Sequence, residues 1–151
     1  MTINRLSLEE YFLDIAIKVA ARSTCGRLRK VGCVLVDTNN HIKATGYNGV
    51  PRGFVHCLDV PCPGAQFPGD PDTLEQCYAV HAEANALLQL GGDKEKVTTA
   101  YITCSPCREC AKLLANSFVR KIFCLELYND LVAERILQEA KIEVIIWKLD
   151  N

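Results

Sequence analysis

The stretch CSPCREC, Cys104–Cys110, places three cysteines within seven residues. Cys107 and Cys110 are three residues apart in a predicted helix that begins near Cys107, just after Pro106. Both sulfur atoms then lie on one face of the first turn, where a helix N-terminus stabilises the thiolates that bind metals. Cys104 precedes the helix and is out of register with this pair. We therefore predict that Cys107 and Cys110 are metal ligands and that Cys104 is a strand-end residue.

A third ligand is available in the sequence HAE, where His81 lies at the start of another predicted helix. Two thiolates and one neutral imidazole leave the fourth tetrahedral position of Zn²⁺ open for water, as in catalytic zinc sites. Zinc lowers the pKa of that water to about 7, and a nearby carboxylate, here Glu83, can accept and return protons. Residues two apart do not share one side of a regular helix. Glu83 therefore reaches the site only if the metal lies beyond the helix end. Considered alone, His81 could equally be a hydrogen-bonded histidine of the core. Glu83 alone could equally be a solvated charge at the start of a helix.

A second group of cysteines flanks an unusual segment, Gly49–Cys77, which holds five of the six prolines and four of the nine glycines. A loop of this length is usually functional or held in place by something. The chain has nine cysteines, an odd number, and clustered cysteines in a reducing compartment indicate metal binding or catalysis. Four thiolates would complete a tetrahedral, structural zinc site. The predicted ligands are Cys25, Cys57, Cys62 and Cys77. His56 competes for one position, and free thiols in a mobile loop are the alternative.

Strands and helices that could position these residues follow from the periodicity of the chain. Ser7 and Glu10 form a capping-box pattern before a helix that should reach about Arg22. The apolar face of this helix is predicted to comprise Leu8, Phe12, Ile15, Ala16 and Val19. VGCVLVD and HIKATGY predict a hairpin, and a helix is predicted from Ala79 until Gly91. Beyond it, TTAYIT, KIFCLEL and KIEVIIW predict strands, and CRECAKLLANS and DLVAERILQEA predict helices. This alternation is typical of an α/β fold. We expect a five-stranded mixed sheet covered by helices, in one domain spanning residues 1–151.

Composition excludes several classes of function. The formal net charge is −1 and the isoelectric point is near 6.3, so the composition does not indicate a basic surface for binding nucleic acid. No apolar run approaches the roughly 18 residues of a membrane span. Acidic residues interrupt the apolar N-terminal stretch, which argues against a secretory signal. We expect a cytoplasmic protein that binds neither nucleic acid nor membranes.

The combination of H-x-E with P-C-x-x-C is the pattern of zinc-dependent nucleobase deaminases. Further stretches resemble the deoxycytidylate (dCMP) deaminase family, most closely its phage and bacterial zinc-rich branch, from about Glu10 to Trp147. These stretches are GYNGVPRG (residues 46–53), HAEANAL (ending at Leu87), TCSPCRECAKLL, EYFLDIAIKVAARSTCGRL and VHCLD. The resemblance implies the three-layer cytidine deaminase-like fold, with helices on both faces of the sheet.

The resemblance also implies an activity, the hydrolysis of a cyclic amidine C–N bond that converts dCMP to dUMP and ammonia and supplies dUMP for dTMP synthesis. Water activated by zinc would attack C4 of cytosine, while Glu83 would take its proton, protonate N3 and help ammonia leave. The Ser105 carbonyl, fixed by Pro106, would accept a hydrogen bond from the leaving amino group. Asn48 would bind the sugar hydroxyl or the base. For the 5′-phosphate Arg27 is our first choice, and the other nearby cations are Arg29, Lys30 and Arg52.

Assembly and regulation are further expectations from the resemblance. The family implies a homohexamer that is activated by dCTP, with Mg²⁺ as a further possible partner, and inhibited by dTTP. The effector site would lie near the GYNG turn, at Gly46, Tyr47, Gly49 and Arg52. For the two glycines, turn formation after a strand is the simpler explanation. The zinc-rich branch also implies a second, structural zinc with ligands matching Cys25 and Cys57.

Three other functions share part of this pattern. An adenosine deaminase that acts on tRNA should carry a basic, aromatic-bearing face, which a net charge of −1 and 7% aromatic residues do not favour. Deaminases of free cytidine usually have cysteine where His81 stands. A non-catalytic, zinc-stabilised interaction module would have no need for Glu83 beside an open zinc position.

Overall fold

The computed structural model of the chain describes residues 4–27 and 29–149. Residue 28 and both ends of the predicted domain, residues 1–3 and 150–151, lie outside the described residues. Within the described part, five strands form one sheet. The strands are β1 (Gly32–Asp37), β2 (Ile42–Tyr47), β3 (Val97–Cys104), β4 (Lys121–Glu126) and β5 (Glu143–Ile146). The α-helices are α1 (Leu8–Ala20), α2 (Ala82–Gln89), α3 (Arg108–Ala115) and α4 (Leu131–Glu139). No helix in these residues has the length and apolar character needed to cross a membrane.

The sheet has the order β2-β1-β3-β4-β5 and is mixed. β1 pairs antiparallel with both β2 and β3, whereas β3, β4 and β5 are parallel. The predicted α/β fold with a five-stranded mixed sheet is therefore confirmed. Because β1 runs against its two neighbours, the start of β1 lies at the same edge of the sheet as the ends of β2 and β3. The segments that carry the predicted site residues leave the sheet at this edge.

Helices cover both faces of the sheet, as predicted. On one face, α1 packs against β1, β3 and β4 around a core that comprises Phe12, Leu13, Ala16, Val34, Val36, Tyr101 and Phe123. On the other face, α2, α3 and α4 contribute Ala82, Ala86, Ala111, Leu114, Ala133 and Leu137. These small and medium side chains pack on a sheet surface that includes Cys33, Leu35, Ile102 and Ile122. The two helices that carry predicted metal ligands, α2 and α3, thus share one face.

The first helix confirms the predicted capping box, since the Ser7 side chain accepts from the Glu10 amide and Glu10 returns a bond to the Ser7 amide. The helix ends at Ala20, near the predicted Arg22. The predicted apolar face is confirmed at Phe12 and Ala16, which are buried, and at Ile15 and Val19, which pack against the same core. The prediction was wrong for Leu8, which is 44% exposed, and it omitted Leu13 and Ala20, which are buried. The apolar residues of this segment are nearly continuous, so their spacing allows more than one buried face.

The second helix begins at Ala82, three residues later than predicted, because a long-range contact holds the preceding residues extended. Val80 forms an isolated antiparallel bridge with Gly49, with N···O distances of 3.2 and 2.8 Å. His81 is consequently the N-cap of α2, with φ −70° and ψ 156°. At Gly46, a Cβ atom would overlap the carbonyl oxygen of Ala82 and the amide of Ala86. Only glycine allows the first turn of α2 to lie directly on the backbone of β2.

The long segment between β2 and α2 contains two short 3-10 turns, Pro63–Ala65 and Pro71–Gln76. Arg27 crosses to this segment, where its guanidinium donates to the carbonyl of Gly64, to the Thr73 hydroxyl (3.2 Å) and to the carbonyl of Asp70 (3.3 Å). Backbone carbonyls in a loop need such partners when they are removed from water. Arg27 therefore helps to hold the loop in place.

Candidate functional site

Three side chains converge where the first residues of α2 and α3 meet. The Nδ1 atom of His81 lies 3.4 Å from the sulfur atoms of both Cys107 and Cys110, and all three donor atoms lie within 4.8 Å of one another. Tetrahedral zinc with ordinary Zn–N and Zn–S bonds would separate such atoms by about 3.6 Å. The arrangement therefore fits a zinc ion. Cys104 is the last residue of β3, so its prediction as a strand-end residue is confirmed.

Hydrogen-bond contacts link the sulfur atoms of Cys107 and Cys110 to the His81 ring. The hydrogen bond from the Cys110 thiol, aided by His81, lowers the pKa of Cys107 to about 4. The same bond and burial raise the pKa of Cys110 well above its usual range. The bond to Cys107 also raises the pKa of His81. Cysteine must be deprotonated to bind zinc, and a Zn²⁺ ion would compensate the charges of the two thiolates.

Glu83 lies beside this group in the first turn of α2 and is only 4% exposed. Its burial raises the pKa of the carboxyl group above the usual value, and its charge raises the pKa of Cys110. The geometric objection to a His-x-Glu pair on one helix does not apply here. His81 is extended and precedes the helix, so its side chain does not follow the helical rotation that separates residues two apart.

Ser105 and Pro106 form the link between β3 and α3. The Ser105 amide donates to the carbonyl of Glu126 at 2.9 Å, and its hydroxyl accepts from the Tyr128 amide at 2.6 Å. Ser105 is 8% exposed, and Pro106 is among the fully buried side chains. These contacts hold the Ser105 peptide in one orientation at the edge of the sheet.

Asn48 follows β2 and is 7% exposed. The Ser23 hydroxyl lies 2.6 Å from the Asn48 carbonyl oxygen and 2.8 Å from Asn48 Oδ1, so the two oxygens share its one hydrogen. Oδ1 also accepts from the Val31 amide at 2.8 Å, and Nδ2 donates to the Arg29 carbonyl at 2.9 Å. These bonds fix the orientation of the Asn48 side-chain amide. Nδ2 carries two hydrogens, and the bond to the Arg29 carbonyl uses one of them, so the other can be donated to a ligand. Our sequence reasoning did not single out Ser23, although it lies in EYFLDIAIKVAARSTCGRL, one of the stretches that resemble the family.

Asp130 is a second residue that the sequence reasoning did not identify. This buried carboxylate accepts from the backbone amide of Arg108 at 3.1 Å and pairs with the Arg108 guanidinium at 3.1 and 3.2 Å. It also caps α4 through the amides of Val132 and Ala133. The bond from Arg108 lowers the pKa of Asp130. Asp130 thereby joins the start of α4 to the start of α3, next to Cys107. An aspartate directly before an apolar helical run is the signal that could have revealed it.

The remaining predicted substrate and effector residues occupy different settings. The Arg27 guanidinium donates hydrogen bonds to the long loop, and those hydrogen bonds compete with its predicted role in binding a phosphate. Tyr47 accepts from the Asn85 side chain at 2.8 Å through its carbonyl, and Arg52 is exposed. Gly46 lies under α2, and a Cβ at Gly49 would lie 2.7 Å from the Thr24 hydroxyl. The two glycines thus have packing roles, and their effector roles stay predictions.

The second cysteine group is partly assembled. Cys25, Cys57 and Cys62 are buried, and the Cys62 amide donates to the Cys57 sulfur at 3.3 Å. Burial alone would raise the pKa of Cys62, but hydrogen bonds from the Tyr78 amide and from neighbouring cysteines lower it. Burial and the charges of Cys25 and Cys62 raise the pKa of Cys77 to about 11.

Two further observations bear on the predicted ligands of this second group. Within residues 4–27 and 29–149, the only set of three or more donor atoms that lie within 4.8 Å of one another is that of His81, Cys107 and Cys110. The competing ligand His56 is exposed, in contrast to the buried Cys57 next to it. A metal at the second group stays a prediction.

Comparisons with known proteins agree with the fold and with the zinc-binding pattern. The family model of the cytidine and deoxycytidylate deaminase zinc-binding region matches residues 6–126. The deoxycytidylate deaminase of Mycobacterium phage D29 is 41% identical over 125 residues, which cover 80% of this chain and 95% of the phage protein. The Saccharomyces cerevisiae deoxycytidylate deaminase is 36% identical over 142 residues, 93% of this chain. The chain spans about 45% of the length of that yeast relative.

A solved structure extends the comparison to three dimensions. The dCMP deaminase of cyanophage S-TIM5, crystallised with dCMP and dUMP, matches with a TM-score of 0.76 and 28% identity, covering 95% of this chain and 99% of that one. The resemblance to deoxycytidylate deaminases and the cytidine deaminase-like fold are therefore confirmed. The family model spans most of the chain and includes His81, Cys107 and Cys110. This protein therefore belongs to the cytidine and deoxycytidylate deaminase family.

Proposed function

We propose that the protein is a cytoplasmic, zinc-dependent enzyme that hydrolyses dCMP to dUMP and ammonia, with His81, Cys107 and Cys110 as the ligands of the zinc ion. The observation that carries the proposal is the convergence of these three donor atoms beside the buried carboxyl group of Glu83. The choice of dCMP is supported by the similar cyanophage enzyme, whose crystals contain dCMP and dUMP.

Proton transfer is assigned to Glu83. Zinc, when bound, supplies a water molecule that is activated for attack at neutral pH. The Glu83 carboxylate would accept a proton from this water and deliver it to N3 of cytosine as the water oxygen bonds to C4. It would then carry the remaining proton of that oxygen to the amino group, so that the C4–N bond breaks, ammonia leaves and the C4 carbonyl of dUMP forms. Burial raises the pKa of this carboxyl group, so it holds a proton more readily than an exposed glutamate, which suits a group that both accepts and returns protons.

Substrate orientation is assigned to Ser105 and Asn48. We assign the Ser105 carbonyl to accept a hydrogen bond from the amino group at C4. Ser105 is held by the bond from its amide to Glu126 and by the bond from the Tyr128 amide to its hydroxyl. The Asn48 side chain donates to a hydroxyl of the sugar, with its orientation set by Ser23 and Val31. Groups that are held in place before the substrate arrives lose little entropy on binding.

Ammonia release from dCMP by the zinc-loaded protein tests this function. We expect stoichiometric dUMP and ammonia, with less or no release from cytidine, dCTP or tRNA. A zinc-loaded preparation that leaves dCMP intact would exclude the proposed substrate. Turnover of cytidine or tRNA in the same assay would then identify another deaminase. Inactivity toward all of these substrates would favour a non-catalytic module.

Regulation and assembly are proposed on the family resemblance alone. We propose a homohexamer that is activated by dCTP, with Mg²⁺, and inhibited by dTTP, at a site near Gly46, Tyr47, Gly49 and Arg52. The same ammonia assay, repeated with each nucleotide and combined with light scattering, tests this part separately from the chemistry.

For the second cysteine group we propose a structural zinc with Cys25, Cys57, Cys62 and Cys77 as ligands. The proposal is supported by the burial of three of these residues and by the amide hydrogen bonds to Cys57 and Cys62. Four thiolates leave no position for water. Such a site would stabilise the long loop rather than take part in the reaction.

The Cys57→Ser variant tests this second site. We expect its zinc content to fall from two ions to one per chain and its unfolding midpoint to fall, because metal binding contributes directly to folding free energy. Metal analysis and thermal unfolding provide the measurements. Cys124→Ser, at a buried strand cysteine outside both groups, should keep two ions. Two zinc ions per chain in Cys57→Ser would contradict the assignment.

A further inference from the structure

A buried hydroxyl group joins Asn48 to the second cysteine group. Ser23, which carries this hydroxyl, is 2% exposed. The hydroxyl oxygen lies 2.6 Å from the Asn48 carbonyl oxygen and 2.8 Å from Asn48 Oδ1. It also accepts from the Cys25 amide at 3.3 Å. One serine oxygen thus contacts the main chain and the side chain of Asn48 and the main chain of a predicted ligand of the second group.

The Ser23 hydroxyl restrains Asn48 in a way that the other partners of Asn48 do not. The Val31 amide and the Arg29 carbonyl contact only the side chain of Asn48. The Ser23 hydroxyl spans a main-chain oxygen and a side-chain oxygen of the same residue. It therefore fixes the side-chain torsion angles of Asn48 relative to the Asn48 backbone. Because Ser23 is buried, water competes little for these contacts.

The chain on either side of this hydrogen bond lies against the second cysteine group. A Cβ atom at Gly26 would lie 3.1 Å from the Cys57 carbonyl oxygen and 3.2 Å from the Cys57 sulfur, so the two backbones are in close contact. Val50 packs against the buried cluster that contains Cys57 and Cys62. The segment that carries the serine and the segment that carries the asparagine are therefore both supported by the same cysteines.

We infer that Ser23 is a positioning residue through which the second cysteine group controls the recognition of the sugar by Asn48. This inference rests on the proposed deamination of dCMP. The sugar of dCMP has one free hydroxyl, at C3′, because its 5′ oxygen carries the phosphate and its 2′ carbon carries no oxygen. Asn48 Nδ2 donates to that hydroxyl the hydrogen that the Arg29 carbonyl does not use. Ser23 keeps Nδ2 in place and does not itself touch the substrate.

The Ser23→Ala variant tests the positioning role with two substrates, dCMP and 2′,3′-dideoxycytidine 5′-monophosphate, which lacks the 3′-hydroxyl. For the zinc-loaded, unmodified protein we expect kcat/KM to be about 5- to 10-fold higher for dCMP, the effect of one hydrogen bond. Ser23→Ala should remove this preference through a higher KM for dCMP, with little change in kcat. Both substrates are measured on one preparation, so any unfolded fraction cancels from the ratio.

The role of the cysteine group is tested by Cys57→Ser, alone and combined with Ser23→Ala. Alone, Cys57→Ser should reduce the preference for dCMP as Ser23→Ala does. In the Ser23→Ala background it should reduce the preference no further, because residues that act through one set of contacts have non-additive effects. Additive effects would show that the cysteine group acts by another route and would overturn the inference. Cys77→Ser, at a half-buried member of the group, gives the same comparison if the Cys57 variant does not fold.

Ser117→Ala is the matched control. The Ser117 hydroxyl donates to the Leu114 carbonyl at 2.7 Å and accepts at 3.1 Å from the Val119 amide, two residues further along the chain. It repeats the hydrogen-bond pattern of Ser23 in the α3–β4 link, at the other edge of the sheet. Ser117→Ala should keep the preference for dCMP, and so should Ser23→Thr, which keeps the hydroxyl. Full preference in Ser23→Ala, or equal loss in Ser117→Ala, would show that the inference is wrong.

Calorimetric titration of the zinc-loaded protein with dUMP and 2′,3′-dideoxyuridine 5′-monophosphate gives a second readout that does not depend on turnover. We expect the unmodified protein to bind dUMP more tightly, and Ser23→Ala to lose that difference. Failure of the proposed function would be visible separately, as absence of ammonia release from both cytidine nucleotides by the unmodified protein. Equal binding of the two uridine nucleotides by the unmodified protein, or a difference that survives in Ser23→Ala, would overturn the role of Ser23.

Discussion

Replacement of Glu83 by glutamine is expected to lower kcat for dCMP by about 10²- to 10⁴-fold, the usual contribution of a positioned general acid–base. Glutamine keeps the size of the side chain but cannot accept and return a proton. The His81, Cys107 and Cys110 side chains are unchanged in this variant, so zinc content should stay the same. Because the change removes an ionisable group from a site that is 4% exposed, the unfolding midpoint should not fall. Ammonia release, metal analysis and thermal unfolding give the three measurements.

Glu109→Gln is the matched control for this experiment. Glu109 is the second residue of α3, as Glu83 is of α2, but it is exposed and pairs with Lys112 at 2.7 Å on the helix surface. We expect Glu109→Gln to retain kcat within a few-fold. Comparable activity in Glu83→Gln and Glu109→Gln, with equal zinc content, would show that Glu83 is not the proton carrier. Loss of zinc only in Glu83→Gln would instead assign it to the metal.

The second large effect is expected at Cys110. Cys110→Ser replaces a thiolate ligand by a hydroxyl group, which binds zinc poorly at neutral pH. Loss of a contact that only supports a metal ligand already costs about 10- to 100-fold in affinity or activity, so loss of the ligand itself should cost more. We expect one zinc ion fewer per chain and turnover reduced to the level of the metal-free protein. Metal analysis after dialysis and the ammonia assay measure both quantities.

Cys104→Ser provides the comparison from within the same CSPCREC stretch. Cys104 ends β3 and lies outside the group of three donor atoms, so this variant should retain the zinc content of the unmodified protein. Full zinc content in Cys110→Ser, or loss of zinc in Cys104→Ser, would reverse the assignment of ligands. Metal content is the deciding quantity here because Cys104 also contacts Arg29.

Short-range patterns predicted the side chains that converge at His81, Cys107 and Cys110. The spacing of Cys107 and Cys110 acts within one helical turn, and the capping box at Ser7 acts within three residues, so both are readable from local sequence. The start of α2 was not readable in this way. It depends on the bridge between Val80 and Gly49, two residues far apart in the chain, and that bridge keeps His81 extended.

Residues with long-range partners were predicted least well. The basic cluster before β1 offered several equivalent cations, and the sequence alone favoured Arg27. In the structure, Arg27 turns toward the long loop and Arg29 turns toward Cys104 and Tyr128. These partners lie dozens of positions away, and no local pattern specifies which of two neighbouring arginines faces which side. The same reason explains why Ser23 was missed, whereas Asp130 has a local signal as the N-cap of α4.

The backbone contact at Gly46 determines how the proposed active site would respond to substitutions elsewhere in the protein. The Cα atom of Gly46 lies against the carbonyl of Ala82, the residue between His81 and Glu83. The distance from β2 to His81, the proposed ligand, and to Glu83, the proposed proton carrier, is thus set by direct contact between two backbones, with no side chain between them. A side chain at position 46 would therefore displace His81 and Glu83 directly, whereas Cys107 and Cys110 are positioned by the packing of α3 on the same face of the sheet.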